Sequence, residues 1–459
     1  EPTLRFLPLS DGKQPLFMWI LMFFVKRMSD PLFAGRLLSA FSGVVSMIGI
    51  FFLTYYIFKS KLSALIVSLL WALSPLTLFF DRMALVDSLL TCLGIWTLLL
   101  SLILASSLRL DMAMILGFVL GLASLTKSPA LFFAVLIPAA IILLKKPKDV
   151  FKYAGLILVA YLIAFGMYNI QRLGPNFGQL TVRTKDYVFP LSRILVYPTD
   201  PIRYNLPTTA SWLYAMGPIG LVLLALIGTA LNFKKYRKYV LILGVWFLAP
   251  LLFESEFTKS FTLRYILFLT PPLYVLAASA FTSLSGKWKY LTIFSLIIFA
   301  VQSGIFDYHL LTNPQKANFP QRERMGYFQE WTSGIGINEP ADYIRAKHNE
   351  DPSKRIIVGT EGYFGTLPDG FTMYIQDLPN IVVVGTGLGI NKIPDQLVES
   401  KLAGNLTYFI INKSRLIINP AKLNISLIKS YKKEPRTPGT MEYSASGPQD
   451  ELLFYEVIK

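Results

Sequence analysis

The chain has 459 residues, of which 53 % are hydrophobic and only 16 % are charged, and its mean hydropathy is +0.50. Soluble domains carry about 25 % charged residues, so this composition argues against a soluble protein and indicates a polytopic membrane protein. The net charge of +16 comes from short basic clusters between apolar runs, such as Lys145–Lys148 and Lys234–Lys238. Cytoplasmic loops of membrane proteins have this pattern, and it differs from the clustered basic face of a nucleic-acid-binding protein. We therefore predict no nucleic-acid partner.

Cysteine and histidine are too rare to build a metal centre. Cys92 is the only cysteine, and the two histidines, His309 and His348, are isolated from each other. We therefore predict neither a disulfide framework nor a metal site. The sequence starts at Glu1 in a polar stretch without a signal peptide, and we expect a preceding transmembrane helix to be missing from it.

The first predicted element is a short apolar run from Pro15 to Met28, preceded by the sequence Asp11-Gly-Lys-Gln-Pro-Leu16. A crossing helix needs about 20 apolar residues, so we predict that this run lies along the membrane surface. Lys13 is placed to bind a phosphate, because a lysine ammonium is a point-charge partner for that group. Gly12 would let the backbone approach the phosphate closely. The alternative is a loop lysine attracted to lipid head groups in general.

The chain then alternates between long apolar runs and polar loops, which predicts a transmembrane region over residues 32–306 after a remnant of an outer loop at 1–31. The predicted spans cover residues 32–58, 62–80, 83–108, 112–126, 129–144, 153–170, 212–231, 239–253, 263–284 and 290–306. With Lys59 and Lys61 placed in the cytoplasm and each span reversing direction, all the basic clusters fall inside. This agreement with the positive-inside rule predicts a multi-pass protein of the cell membrane.

The same topology places the isolated charges at the membrane edge on the outer face. Ionisable residues within spans usually face a cavity and mark function, which makes these residues candidates for a site. They are Lys13, Arg36, Asp81, Arg82, Asp87 and Lys127, with Asp11 beside Lys13 and Arg183 in the arginine-rich loop 171–209. Carboxylates among them are candidates for acid–base work.

Each of these residues also has a structural explanation. Arg36 can extend its charge to the interface, and Lys127 can be an ordinary loop lysine. Asp81 and Arg82 can form a solvated turn, while Asp87 can be a favourable anion near a helix N-terminus. The loop 171–209 can cover a lipid-linked sugar or simply rest on lipid.

The composition changes after Asp307, where the spans stop and polar residues increase. Three buried strands are predicted at Arg355–Gly359, Asn380–Val384 and Leu406–Ile411, with a late strand at Leu452–Val457. Two helices are predicted between them, at residues 340–347 and 395–402. The alternation predicts a small α/β domain over residues 307–459, which the topology places outside the cytoplasm. The Gly-rich segment 385–389 does not give a nucleotide-binding motif.

The order of several short motifs resembles the glycosyltransferase C superfamily, in particular its family 39-like branch of protein O-mannosyltransferases and aminoarabinose transferases. The resemblance covers roughly residues 4–306. The similar motifs are Asp11-Gly-Lys-Gln-Pro-Leu16, Arg36-Leu-Leu-Ser-Ala40, Ser74-Pro75 with Arg82 and Asp87, Gly121-Leu-Ala-Ser-Leu-Thr-Lys127, and Arg264-Tyr265 with Pro271. None is specific alone, but their order and their common outer placement match the family.

The resemblance implies a polytopic helical enzyme that takes a sugar, hexosyl (for example mannosyl) or pentosyl, from a polyprenyl-phosphate donor to a protein, lipid or glycan of the cell envelope. Lys13 would then hold the lipid phosphate, with Lys127 and Arg82 on the same substrate. Arg36 would belong to the catalytic region, and Asp87 would be its second acidic position. Asp11, Asp81 and Arg183 are further candidates.

Two departures from the family pattern affect these expectations. Gln14 replaces the first proline of the usual pair, and the acidic pair of the first outer loop has no counterpart in this sequence. We expect that pair to lie upstream of Glu1, so this fragment would lack its principal base. A lipid-linked-glycan transporter or a non-catalytic membrane scaffold is the alternative. A transporter would show paired broken helices, and only residues 127–129 suggest such a break.

Overall fold

A computed structural model describes residues 12–28, 30–282, 284 and 286–458 of the chain. It divides the chain into two compact units, residues 1–318 and residues 319–459. The second unit carries 16 basic and 16 acidic residues, so the whole net charge of +16 belongs to the first. Asp11, one of the predicted site residues, lies outside the described residues.

The first unit is helical throughout its described residues. Each of the ten predicted spans overlaps one of its helices or 3₁₀ turns. The helices are α1 (Leu16–Val25), α2 (Pro31–Phe58), α3 (Lys61–Ala72), α4 (Pro75–Asp81), α5 (Asp87–Ser107), α6 (Leu110–Ser124), α7 (Ala130–Leu136), α8 (Asp149–Asn169), α9 (Phe177–Tyr187), α10 (Ile202–Ala215), α11 (Ile219–Phe257), α12 (Pro271–Ser279) and α13 (Gly286–Thr312).

Five of these helices are long and apolar enough to cross a membrane, namely α2, α5, α8, α11 and α13. Two bent pairs would raise the number to seven: α3 with α4, bent by 61°, and residues 263–269 with residues 271–282, bent by 54°. The 39-residue helix α11 has non-helical backbone at Tyr236, within the basic cluster 234–238. The break marks the place where the sequence predicts one span to end and the next to begin.

Two predicted spans start several residues before the helix of the structure. Residues 83–86 form a turn, so α5 begins at Asp87 rather than at Met83. Trp212 belongs to α10, and the following span begins only at Ile219. The physical reason in the second case is Pro218, which has no backbone N–H to donate and therefore starts a helix rather than continuing one.

Helices α11 and α12 pack at very short range through a glycine. A Cβ atom added at Gly228 would lie 2.5 Å from Ser279 Oγ. Asn232, one turn later, donates from Nδ2 to the Ser279 carbonyl at 2.8 Å, and Thr282 donates to Asn232 Oδ1 at 2.9 Å. In an apolar environment such close backbone approach and interhelical hydrogen bonding hold helices together.

We expect Gly228→Ala to destabilise the first unit by about 1–3 kcal/mol, because the added methyl group overpacks the contact with α12. Gly244→Ala in the same helix is the matched control, since no atom lies within 4 Å of a Cβ added there. The melting temperature of the purified protein in detergent checks this. Equal melting temperatures for the two variants would contradict it.

The second unit is a five-stranded sheet with helices around it. The strand order is β2-β1-β3-β5-β4, in which β1 runs parallel to β2 and β3, and β5 runs antiparallel to β3 and β4. The strands are β1 (Ile356–Thr360), β2 (Ile381–Gly385), β3 (Leu406–Asn412), β4 (Ile425–Lys432) and β5 (Glu451–Val457), and the helices are α14 (Gln321–Arg324), α15 (Asn338–Glu350), α16 (Asp369–Thr372), α17 (Asp395–Leu402) and α18 (Met441–Ser446).

The structure confirms the predicted α/β class of this unit and four of its strands. The sequence analysis missed β4, whose sequence Ile-Ser-Leu-Ile-Lys-Ser-Tyr-Lys is half polar and half exposed. An edge strand has one neighbour and needs no continuous apolar run, so a search for buried strands passes over it.

Buried charged groups follow the strand ends at one edge of this sheet. Glu361, directly after β1, accepts hydrogen bonds from the Asn412 backbone N–H and side-chain amide, both at 2.7 Å. Lys433, directly after β4, donates to Asn412 Oδ1 and to the Glu330 carbonyl. Burial lowers the pKa of Lys433 to about 8 and raises the pKa of Glu361. The ammonium therefore lowers the stability of the folded unit while it is charged.

The sign of the pH dependence follows from Lys433. Its pKa is about 8 in the folded unit against 10.5 for a free lysine, so between these values the unfolded state binds the extra proton. The free energy of unfolding of this unit should therefore rise as the pH increases from about 8 to 10.5, by about 3 kcal/mol at most.

The rise should be absent in Lys433→Met. Urea unfolding titrations at pH 7.5 and 10 check this. Unfolding of this unit is followed with a fluorescent dye attached to a cysteine introduced at the exposed position Met441. The natural cysteine, Cys92, is buried. Identical pH slopes for the wild type and the methionine variant would contradict the assignment.

Candidate active site

The loop before α1 is fastened to the turn between α6 and α7. Gln14 Nε2 donates to Ser128 Oγ at 2.8 Å, and the Leu16 backbone N–H donates to the Leu125 carbonyl at 2.9 Å. Gln14 is the residue that departs from the family pattern, and here its buried amide makes one of the two fastening bonds. The loop bearing Lys13 is thereby held beside the turn that contains Lys127.

Lys127 and Asp87 form a buried ion pair. The Lys127 Nζ lies 2.6 Å from Asp87 Oδ1, and the two side chains are 22 % and 4 % exposed. Asp87 is the first residue of α5, where the helix dipole also favours a negative charge. The ammonium lies 4.8 Å from the ring centroid of Tyr265 as well. The structure thus brings together two predicted site residues that are 40 positions apart in the sequence.

The predicted residues Arg36 and Arg82 are both exposed. Arg36 lies in the second turn of α2, and the turn 82–86 packs on that helix because Ser39 Oγ donates to the Leu85 carbonyl at 3.1 Å. The Asp81 carboxylate instead packs against Gly43 of α2. Any side chain at position 43 would collide with this carboxylate. Asp81 is therefore partly buried between helices, and a fully solvated turn describes only Arg82.

Gly12 brings the Lys13 loop against α9. Its φ is +70°, and a Cβ atom there would lie 2.6 Å from both Arg183 Cγ and the Gln179 carbonyl oxygen. The close backbone approach predicted for Gly12 is therefore made to this helix. Arg183, another predicted residue, pairs with Asp186 at 3.3 Å. Lys13 and Arg183 thus lie on neighbouring segments.

The loop 171–209 is partly helical and lies on the end of α11. The Phe189 N–H donates to the Phe257 carbonyl at 2.7 Å, the Lys259 N–H to the Tyr187 carbonyl at 2.8 Å, and Asn205 Nδ2 to the Ser255 carbonyl at 2.9 Å. These bonds cover residues 255–259. The loop therefore contacts the end of α11, and its covering of a lipid-linked sugar stays a prediction.

The structure adds two carboxylates that sequence reasoning passed over. Glu254 and Glu256 lie in the last turn of α11 and are buried. Glu254 accepts a hydrogen bond from Thr258 Oγ1 and interacts electrostatically with Lys127. The sequence analysis assigned both to a linker after a span ending at Phe253, although carboxylates adjoining an apolar run are themselves a signal. Among the described residues, no group of three His, Cys, Asp or Glu side chains is placed to hold a metal ion.

A known family is similar to the first third of the chain. Residues 12–168 match the model of a family described as dolichyl-phosphate-mannose-protein mannosyltransferase. The match contains Lys13, Arg36, Asp81, Arg82, Asp87 and Lys127, and it confirms the predicted resemblance to family 39-like membrane glycosyltransferases of the glycosyltransferase C type. A comparison with curated proteins gives no match.

Two solved structures share the fold over nearly the whole chain. ArnT from Cupriavidus metallidurans in the apo state has 11 % identity and a TM-score of 0.59, with 97 % of this chain and 88 % of that chain covered. The same protein bound to undecaprenyl phosphate gives 13 % identity and a TM-score of 0.56, with 96 % and 88 % covered. At these identities the likeness establishes the fold, and it confirms the predicted fold class.

Removing one partner of the Lys127–Asp87 pair should be strongly destabilising. We expect Lys127→Met and Asp87→Asn each to cost about 3–5 kcal/mol, because each leaves an uncompensated charge in the interior. The double variant should lose clearly less than the sum. Thermal unfolding in detergent at neutral pH checks this.

The exposed pair Arg109–Asp111 supplies the control, and Asp111→Asn should leave the melting temperature unchanged. Additive losses in the double variant would show that the two charges do not depend on each other.

Proposed function

We propose that the chain is a glycosyltransferase that moves a sugar from a polyprenyl-phosphate donor to an acceptor on the outer face of the membrane. The observation that carries the proposal is the assembly of Lys13, Lys127 and Asp87 by the Gln14–Ser128 and Leu16–Leu125 bonds and the buried ion pair. The family-model match and the ArnT fold support this class of enzyme. The solved complex of ArnT with undecaprenyl phosphate supports a polyprenyl phosphate as the lipid.

The cations supply the chemistry that the leaving group needs. When the bond between the sugar and the phosphate breaks, negative charge develops on the phosphate oxygens. A cation fixed beside those oxygens stabilises the transition state more than the ground state. Lys13 is the exposed cation of the fastened loop and binds the lipid phosphate in this proposal. Lys127, which is held by Asp87, adds positive potential next to Lys13. Arg82 lies on the same face of the membrane in this proposal and acts on the same substrate.

Asp87 is the acidic group of the assembly. Its Oδ1 accepts from Lys127, and its second oxygen is available to orient the hydroxyl of an acceptor. Asp87 is the second acidic position that the resemblance implies, and in this proposal it has an assisting role. Arg36 borders the same region from α2. The acceptor is a protein, lipid or glycan, and the transferred group is a hexosyl or pentosyl unit, of which mannosyl fits the name of the matching family.

The positive-inside pattern supports the outer placement of the site. Because the basic clusters alternate with the site residues along the chain, the donor would be used on the face opposite to those clusters. The domain after the last span would lie on this outer side too. The protein is then a multi-pass component of the cell membrane that works on the envelope.

We expect Lys13→Ala to lower turnover with a polyprenyl-phosphate sugar by about 100-fold, the size of effect seen when one group that stabilises developing negative charge is removed. Lys13→Arg should restore part of it because the positive charge remains. The assay follows release of polyprenyl phosphate from the donor.

Lys26→Ala is the matched control, since Lys26 is an exposed cation at the other end of α1. Turnover unchanged by Lys13→Ala would remove Lys13 from phosphate binding. Transport of lipid-linked sugar across vesicles without sugar transfer would favour the transporter alternative.

A further inference from the structure

Buried polar atoms without a partner are concentrated at the end of α11. Within the described chain, Ser255 Oγ, Glu256 Oε2 and Thr262 Oγ1 are all inaccessible and accept or donate no hydrogen bond. Buried polar groups in proteins are normally paired, and each exception calls for an explanation such as a bound water, ion or ligand. These three exceptions lie within eight residues of the chain, and a bound polar ligand would supply them with partners.

Glu256 is the most costly of these groups to leave unpaired. Its side chain belongs to a residue that is only 6 % exposed, and it lies at the end of an apolar helix in the membrane unit. A buried carboxylate that lacks hydrogen-bond donors is much less stable than a buried hydroxyl. In membrane proteins such groups are rare and are associated with substrate sites.

The segment that contains Glu256 begins and ends beside Lys127. Glu254, two residues earlier, interacts electrostatically with that lysine, and Tyr265, nine residues later, lies under its ammonium at 4.8 Å. Glu256 therefore lies on a short segment of which two residues, Glu254 and Tyr265, interact with Lys127.

The backbone around Glu256 is held by hydrogen bonds from the loop 171–209. The Ser255 carbonyl accepts from Asn205, and the Phe257 carbonyl accepts from the Phe189 N–H. Phe253 also packs on Phe257, with ring centroids 4.6 Å apart. Both flanking residues are thereby held in place, and the backbone of Glu256 is held with them.

We propose that Glu256 accepts hydrogen bonds from the hydroxyl groups of the donor sugar, with Ser255 and Thr262 as further partners. The proposal rests on the proposed function and adds the sugar-binding part of the same site. Charge assigns the two ends of the donor: the phosphate is repelled by Glu256 and is drawn to Lys13 and Lys127. The neutral, hydroxyl-rich sugar supplies the donors that a buried carboxylate requires. An apolar lipid chain would leave the carboxylate unpaired.

The test compares two ligands on the full-length protein in nanodiscs. Undecaprenyl phosphate probes the phosphate end, and undecaprenyl phosphates carrying mannose, glucose or arabinose probe the sugar end. We expect at least one sugar-bearing lipid to bind the wild type more tightly than the bare phosphate does. Glu256→Gln should lower the affinity for that lipid about tenfold, because the amide keeps a hydrogen bond but loses the charge that strengthens it. Glu256→Ala should lower the affinity further, because the hydrogen bond is lost completely.

Binding of bare undecaprenyl phosphate should be unchanged in both variants, whereas a merely structural role would weaken the binding of both ligand types together. Asp111→Asn, an exposed carboxylate of the same unit, is the control. The sugar role of Glu256 would be overturned if the variants bound both ligand types equally more weakly, or bound neither more weakly. It would also be overturned if the wild type bound no sugar-bearing lipid more tightly than the bare phosphate. A wild type that binds neither ligand would instead overturn the proposed function.

Discussion

A buried ion pair is the constraint on which the site depends. Neither Lys127 nor Asp87 is stable alone in an apolar interior, because an unpaired charge there loses its hydration without compensation. Their pairing therefore fixes the turn 125–128 against the start of α5. The same turn binds the loop before α1 through Ser128 and the Leu125 carbonyl. The position of Lys13 thus derives from the ion pair, although Lys13 itself is exposed.

The sequence predicts the helical class, the α/β unit and the cationic side of the site for a common physical reason. Apolar runs of span length, buried strands and isolated charges all leave a local signal in the chain. Lys127 is detectable because it interrupts an apolar region, and Asp87 because it follows a turn. Their contact at 2.6 Å is not detectable, because nothing local to either residue specifies which segments meet.

The residues that sequence reasoning placed less well have weaker local signals. Asp81 adjoins Arg82 and suggests a solvated turn, but Gly43 on another helix leaves space for its carboxylate. Glu254 and Glu256 lie in a predicted linker, and only the continuation of α11 to Phe257 shows that they are buried. Strand β4 has mixed polarity because it lies at a sheet edge. In each case the deciding partner is distant in sequence.

The scarcity of acidic residues in the first unit makes their burial informative. That unit contains 12 of them among 318 residues, and four of the described ones, Asp87, Glu254, Glu256 and Asp307, are buried. Asp87 and Glu254 both interact with Lys127. Two have partners: Asp87 accepts from Lys127, and Glu254 from Thr258. Glu256 retains an oxygen that no described group satisfies. A membrane protein gains nothing in stability from an unpaired carboxylate, and the proposed sugar site would supply Glu256 with hydrogen-bond donors from outside the chain. A sugar presented by a lipid phosphate at Lys13 is a donor of that kind.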